Sequence, residues 1–172
     1  MKKRITIFLL FILIVAAVIY SFFYGVQEEF LPIGSKLPSL RYYSAKDSGM
    51  VTISNKPIMI MFFKPDCPHC EYEFEAMNKR YSDLRESTYF LTTDYVFIKD
   101  NIYKKWTNLV KKENIVFAYI NEADFKKQVN IHVTPLFLFY DKTGYLIDKL
   151  FGEAKFDRIL GSIKKAGGAQ HQ

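Results

Sequence analysis

Ile58-Met59-Ile60-Met61-Phe62-Phe63-Lys64-Pro65-Asp66-Cys67-Pro68-His69-Cys70 is the stretch that decides the fold. Its first six residues are apolar without a break, as a strand buried on both faces requires. Pro68 suits the first turn of a helix. Beyond it Cys70, Phe74, Met77, Tyr81 and Leu84 recur at helical spacing, with Glu71, Glu75, Lys79 and Arg80 on the other side. The layout predicts a buried strand running into a helix whose first turn carries Cys67. Unpaired amide hydrogens and the helix dipole favour an anion there. A thiolate is such an anion, and it is the nucleophile of disulfide exchange.

Cys67 and Cys70 are the only cysteines of the chain. In the functional reading Cys67 is an attacking thiolate, of a kind whose pKa falls to roughly 3.5–7.5 in such surroundings. Cys70 is its resolving partner one helical turn on. A purely structural disulfide is disfavoured, because closing so short a loop removes little chain entropy. A zinc site would want a second ligand pair, and His69, His132 and His171 are the only histidines. His69 lies between the cysteines, where a cation or hydrogen-bond donor stabilises thiolate. Stabilising the reduced form makes a couple more oxidising. The alternative for His69 is an exposed helix residue.

Glu73 follows Cys70 by three residues and is expected on a helix flank. Half-buried, it would relay protons to the thiols; otherwise it is a solvated carboxylate beside Glu71 and Glu75. Thr134-Pro135 precedes the apolar run Leu136 to Tyr140. Proline is an odd start for a buried strand, since it lacks a ladder donor. A cis bond would turn the chain sharply and leave the Thr134 backbone groups free to pair with an extended partner.

Outward from this centre, Leu40 to Ile53 suggests a hairpin around Asp47-Ser48-Gly49. Tyr95 to Ile98 is expected as a second strand, followed by a helix with Trp106, Leu109 and Val110 on its apolar face. Ile115 to Ile120 is a third strand and Asn121 to Val129 a short helix. Leu136 to Tyr140 and Tyr145 to Phe151 form an antiparallel pair across the turn Asp141-Lys142-Thr143-Gly144. Gly152 breaks the last strand, and Phe156, Ile159, Leu160 and Ile163 mark a closing helix. Strand-helix alternation ending in a hairpin predicts an α/β sandwich, a mixed central sheet flanked by helices.

The organisation along the chain is a basic cytoplasmic segment at 1–4, a transmembrane signal anchor at 5–26, a linker at 27–37, one domain at 38–166 and a flexible tail at 167–172. Ile5 to Val26 is almost wholly apolar, and about 1.5 Å of rise per residue carries it across a roughly 30 Å hydrocarbon core. Tyr20, Phe22, Phe23 and Tyr24 cluster at its far end as an interfacial aromatic belt does. Lys2, Lys3 and Arg4 keep the N-terminus inside, which puts the domain on the extracytoplasmic, periplasmic side. A cleaved signal peptide is the alternative, and it exports the domain too. The chain has 24 Lys+Arg against 18 Asp+Glu, a formal net charge of +6. No basic stripe with interleaved aromatics is visible, so nucleic acid is excluded as a partner.

Phe62-Phe63-Lys64-Pro65-Asp66-Cys67-Pro68-His69-Cys70, Val133-Thr134-Pro135 and Asp141-Lys142-Thr143-Gly144 together resemble the thioredoxin superfamily. The membrane-anchored TlpA/ResA-like branch is closest in layout, and the likeness covers about Lys36 to Lys165. The resemblance implies a thioredoxin-like three-layer sandwich. It implies a nucleophile at Cys67, a resolving thiol at Cys70 and a cis Pro135 packed against the disulfide. Thr134, Pro135 and Pro68 would receive the substrate, and Glu73 falls where ResA-like proteins place a functional glutamate. Two departures stand out. Met61 occupies the place of the buried aspartate of thioredoxin proper. The Pro68-His69 dipeptide is that of the oxidant DsbA, although the stretch from Cys70 to Pro135 is too short for that protein's inserted helical domain.

These readings give a membrane-tethered, monomeric thiol-disulfide oxidoreductase with no cofactor beyond its own dithiol. Its substrates would be exported cysteine-containing proteins, apocytochromes awaiting haem among them. A membrane thiol protein would donate or accept its electrons. A copper(I)-binding module using Cys67, Cys70 and His132 is the alternative from another class. A peroxidase of the same superfamily would want a threonine two to three residues before Cys67, and Lys64-Pro65-Asp66 supplies none.

Overall fold

The computed structural model describes residues 12–16, 31–100, 102–129 and 133–169. Within them, strand β3 (Ile58–Phe62) is buried at every position. Its side chains alternate between two cores, as the pleat dictates. Met59 and Met61 enter one, Ile58, Ile60 and Phe62 the other. Met61 pairs with Phe90 on one side and Phe137 on the other.

The neighbours of β3 are β4 (Ser87–Thr92), which runs parallel to it, and β6 (Leu136–Tyr140), which runs antiparallel. Strand β5 (Ile115–Ile120) continues the parallel part beside β4. The hairpin of β1 (Arg41–Ser44) and β2 (Ser48–Met50) adds to β5, and β7 (Leu146–Phe151) closes the other edge on β6. Among the described residues the seven strands form one sheet in the order β2-β1-β5-β4-β3-β6-β7.

Helix α1 (Pro68–Lys79) follows β3 and buries Cys70, Glu73, Phe74 and Met77, the i, i+3, i+4, i+7 stripe of an amphipathic helix. Phe74 fixes it to the sheet. Its ring stacks on Trp106 at 4.0 Å and meets Phe63 and Phe90 edge-on, both at 4.9 Å. Such pairs are worth about 0.5–1.5 kcal/mol each beyond burial. The short helices α2 (Tyr95–Asp100), α3 (Ile102–Lys105) and α4 (Thr107–Val110) lie in the β4–β5 connection. Residues from them, from α1 and from the closing helix α6 (Phe156–Gly168) share one core with Met59 and Met61. On the opposite face, α5 (Glu122–Gln128) contributes Phe125 and the N-terminal segment contributes Leu31, Leu37 and Leu40. This is the expected three-layer mixed-sheet sandwich.

Three expectations are corrected in detail. Tyr95 to Ile98 is helical, because Asp94 caps it: its Oδ1 accepts the Phe97 N–H at 2.9 Å. The strand lies earlier, at Ser87–Thr92. The helix expected around Trp106 is divided into α3 and α4, with Trp106 at the N-cap of α4. The closing helix continues to Gly168, past the expected start of the tail at residue 167. The expected membrane span at 5–26 falls outside the described residues apart from 12–16, which are helical. No helix among the described residues is long and apolar enough to cross a membrane.

Candidate active site

Cys67 is itself the N-cap of α1. Its backbone is extended and Pro68 supplies the pre-set φ of the first helical position. The Cys67 Sγ takes the place of the usual capping oxygen and accepts the Cys70 N–H at 3.3 Å. The same sulfur lies 3.8 Å from the Thr134 carbonyl oxygen, to which its thiol can donate. Cys67 is partly exposed, Cys70 is buried, and both are free thiols. Burial, followed by the side-chain contact with Cys67, pushes the Cys70 thiol up to about 12.

The Thr134–Pro135 bond is cis. It delivers the Thr134 carbonyl to Cys67 at the point where β6 begins. Pro135 is buried, and its carbonyl accepts the Gly152 N–H at 2.8 Å. Gly152 has φ +69, a left-handed conformation that suits glycine.

The turn after Gly152 contributes what the sequence did not reveal. Ala154 donates its N–H to Glu73 Oε1 at 2.6 Å, and Glu153 Oε2 lies 2.8 Å from His69 Nδ1. Glu73 is fully buried, so the solvated-carboxylate reading is overturned. Its Oε2 has no hydrogen-bond partner among the described residues. Burial first, and the Glu153 charge as a smaller cause, raise the Glu73 carboxyl to about 7; the bond from Ala154 opposes them. Spacing alone could have placed Glu73 inside, since it lies three residues after Cys70 and four before Met77. Glu153 has no such signal, being 84 residues from His69. His69 and Pro68 are both exposed.

A cavity of about 160 Å³ opens beside Thr134. Phe62, Leu91 and Phe125 give it apolar walls, while Lys64, Thr92 and Lys126 make it partly polar. His132 lies outside the described residues. Among the described residues no group of three or more His, Cys, Asp or Glu side chains is arranged to hold a metal ion.

A family model of thioredoxin-like domains matches residues 45–167. Comparison with curated proteins gives no match. Among solved structures, a thio-disulfide isomerase from Thermus thermophilus is similar with a TM-score of 0.61 and 14% identity, covering 81% of this chain and 100% of that one. A peroxiredoxin-like protein from Aquifex aeolicus gives 0.65 and 14%, covering 80% and 88%. The exposed lipoprotein thioredoxin from Streptococcus pneumoniae gives 0.56 and 14%, covering 73% and 98%. At these identities the likeness speaks for the fold. With the family model spanning most of the chain, a cysteine-capped helix after the central strand and a cis proline beside it, the chain belongs to the thioredoxin-like domain family.

Proposed function

We propose that the protein is a thiol-disulfide oxidoreductase whose Cys67–Cys70 pair exchanges disulfides with exported, cysteine-containing proteins. In this reading residues 5–26 tether it to the cell membrane with the domain on the extracytoplasmic side. The observation that carries the chemistry is the unequal placement of the two thiols. One is partly exposed and takes an amide hydrogen bond at a helix start; the other is buried one turn below it.

In the reductive direction the Cys67 thiolate attacks one sulfur of a substrate disulfide. The S–S bond breaks, a mixed disulfide forms and one substrate thiolate leaves. Cys70 then gives up its proton and attacks Cys67 Sγ, which releases the second substrate thiolate and closes Cys67–Cys70. Two electrons pass to the substrate, whose thiolates take up two protons. Oxidation of a substrate dithiol is the reverse. The Cys70 proton is the difficult one, because burial holds it to about 12. Glu73, ionising near 7 on the same buried helix face, is the acceptor we assign to it. Thr134 offers backbone groups to an extended substrate passing beside Pro135, and the cavity beside Thr134 receives a neighbouring side chain. The dithiol carries the electrons without a further cofactor, and a membrane thiol protein returns it to its resting state.

Cys67→Ser is expected to abolish insulin reduction and oxidative refolding with unchanged circular dichroism. Cys70→Ser is expected to accumulate the mixed disulfide, seen on a non-reducing gel. Full turnover by Cys67→Ser would overturn the reading.

A further inference from the structure

We propose that Glu153 is a positioning residue that holds the His69 imidazole in an ion pair and neutralises its charge, leaving the couple less oxidising than the Pro-His dipeptide alone would make it. The inference rests on the disulfide-exchange reading above.

An imidazolium between two cysteines stabilises the nearby thiolate, and with it the reduced form. That argument needs an uncompensated cation. Here Nδ1 of His69 is 2.8 Å from Glu153 Oε2. A cation and an anion so close present a dipole to the sulfur, and a dipole's field falls off faster than that of a lone charge.

The carboxylate is not there by the chance of a loose surface chain. The residue before it donates its N–H to the Pro135 carbonyl at 2.8 Å. The residue after it donates to Glu73 Oε1 at 2.6 Å. The turn is therefore fastened on both sides of Glu153, to the proline loop and to the helix that bears the thiols. Three other acids on or near α1 have cations of their own. Glu71 pairs with Lys105 at 2.7 Å, and Asp83 and Asp157 pair with Arg80 at 3.0 and 2.7 Å. Both members of the His69–Glu153 pair are exposed, so it adds little to stability. Its consequence falls on the redox equilibrium instead.

The test is a double-mutant cycle on the full chain, read as the redox equilibrium with glutathione at one fixed pH. Glu153→Gln is expected to shift that equilibrium about tenfold toward the reduced protein, a rise of about 30 mV. His69→Ala alone is expected to shift it less than threefold. Glu153→Gln on the His69→Ala background is expected to shift it less than threefold, the remaining direct effect of the Glu153 charge, and the single-mutant shift should shrink in 1 M salt. An equilibrium that stays within twofold in Glu153→Gln, or an equal shift with and without His69, overturns the proposal. A wild-type protein that exchanges no disulfides would instead remove the reading beneath it.

Discussion

Glu73 carries an ionisation that the solvent can titrate although the side chain is sealed from it. Its carboxyl stands near 7 in the fold against 4.5 for the free group, with burial as the main cause. The native state thus retains a proton that the unfolded chain has already lost between those values. The stability from this group is complete below about pH 4.5 and is lost as pH rises through about 7, a difference of about 3 kcal/mol. Glu86, also buried and also raised, adds in the same direction. The denaturant midpoint of the reduced protein is expected to fall between about pH 5 and pH 8, and Glu73→Gln should flatten much of that fall. A Glu73→Gln profile as steep as the wild type would refute this assignment of the proton. The cysteines were legible in the sequence because their spacing is local. The burial of Glu73 was obscured by its residue type, since two solvated glutamates flank it at positions 71 and 75.

At the scale of elements, periodicity located those whose apolar residues dominate. Strands β3, β5, β6 and β7, and helices α1, α5 and α6, lie close to where the pattern put them. It failed between Ser87 and Asp100. There Thr88 and Thr92 are buried in a strand, and Asp94 turns the apolar run Tyr95 to Ile98 into a helix. A single capping side chain decided between two readings that hydrophobicity left equal. The turn after β7 depends on a similar local constraint. Among the described residues, no atom beyond its chain neighbours lies within 4 Å of where a Cβ on Gly152 would be, so backbone conformation is what opposes a side chain there. Gly152→Ala is expected to cost about 1–2 kcal/mol in chemical denaturation. An unchanged midpoint would show that the turn tolerates a right-handed substitute.

For the molecule as a whole, the proposed tether and compartment rest on hydropathy and flanking charge alone. The proposed topology has a direct measure. A membrane-impermeant maleimide applied to intact cells whose outer barrier is permeabilised should label Cys67 in the reduced protein, and Cys67→Ser should lose the label. Labelling that requires lysis of the inner membrane would place the domain on the other side. The attachment of residues 34–37 bears on what reaches the thiols. Gly34 and Leu37 donate to the Leu146 and Gly144 carbonyls, and Lys36 bridges to Tyr145, all at the start of β7. The proline loop and the thiols stand at the other end of that six-residue strand, roughly 20 Å away. In the proposed topology the tether therefore joins the domain at the end of β7 opposite the thiols. Under that proposal, a lipid-embedded electron donor would need to carry its own cysteine on a segment that climbs past the flank of the domain.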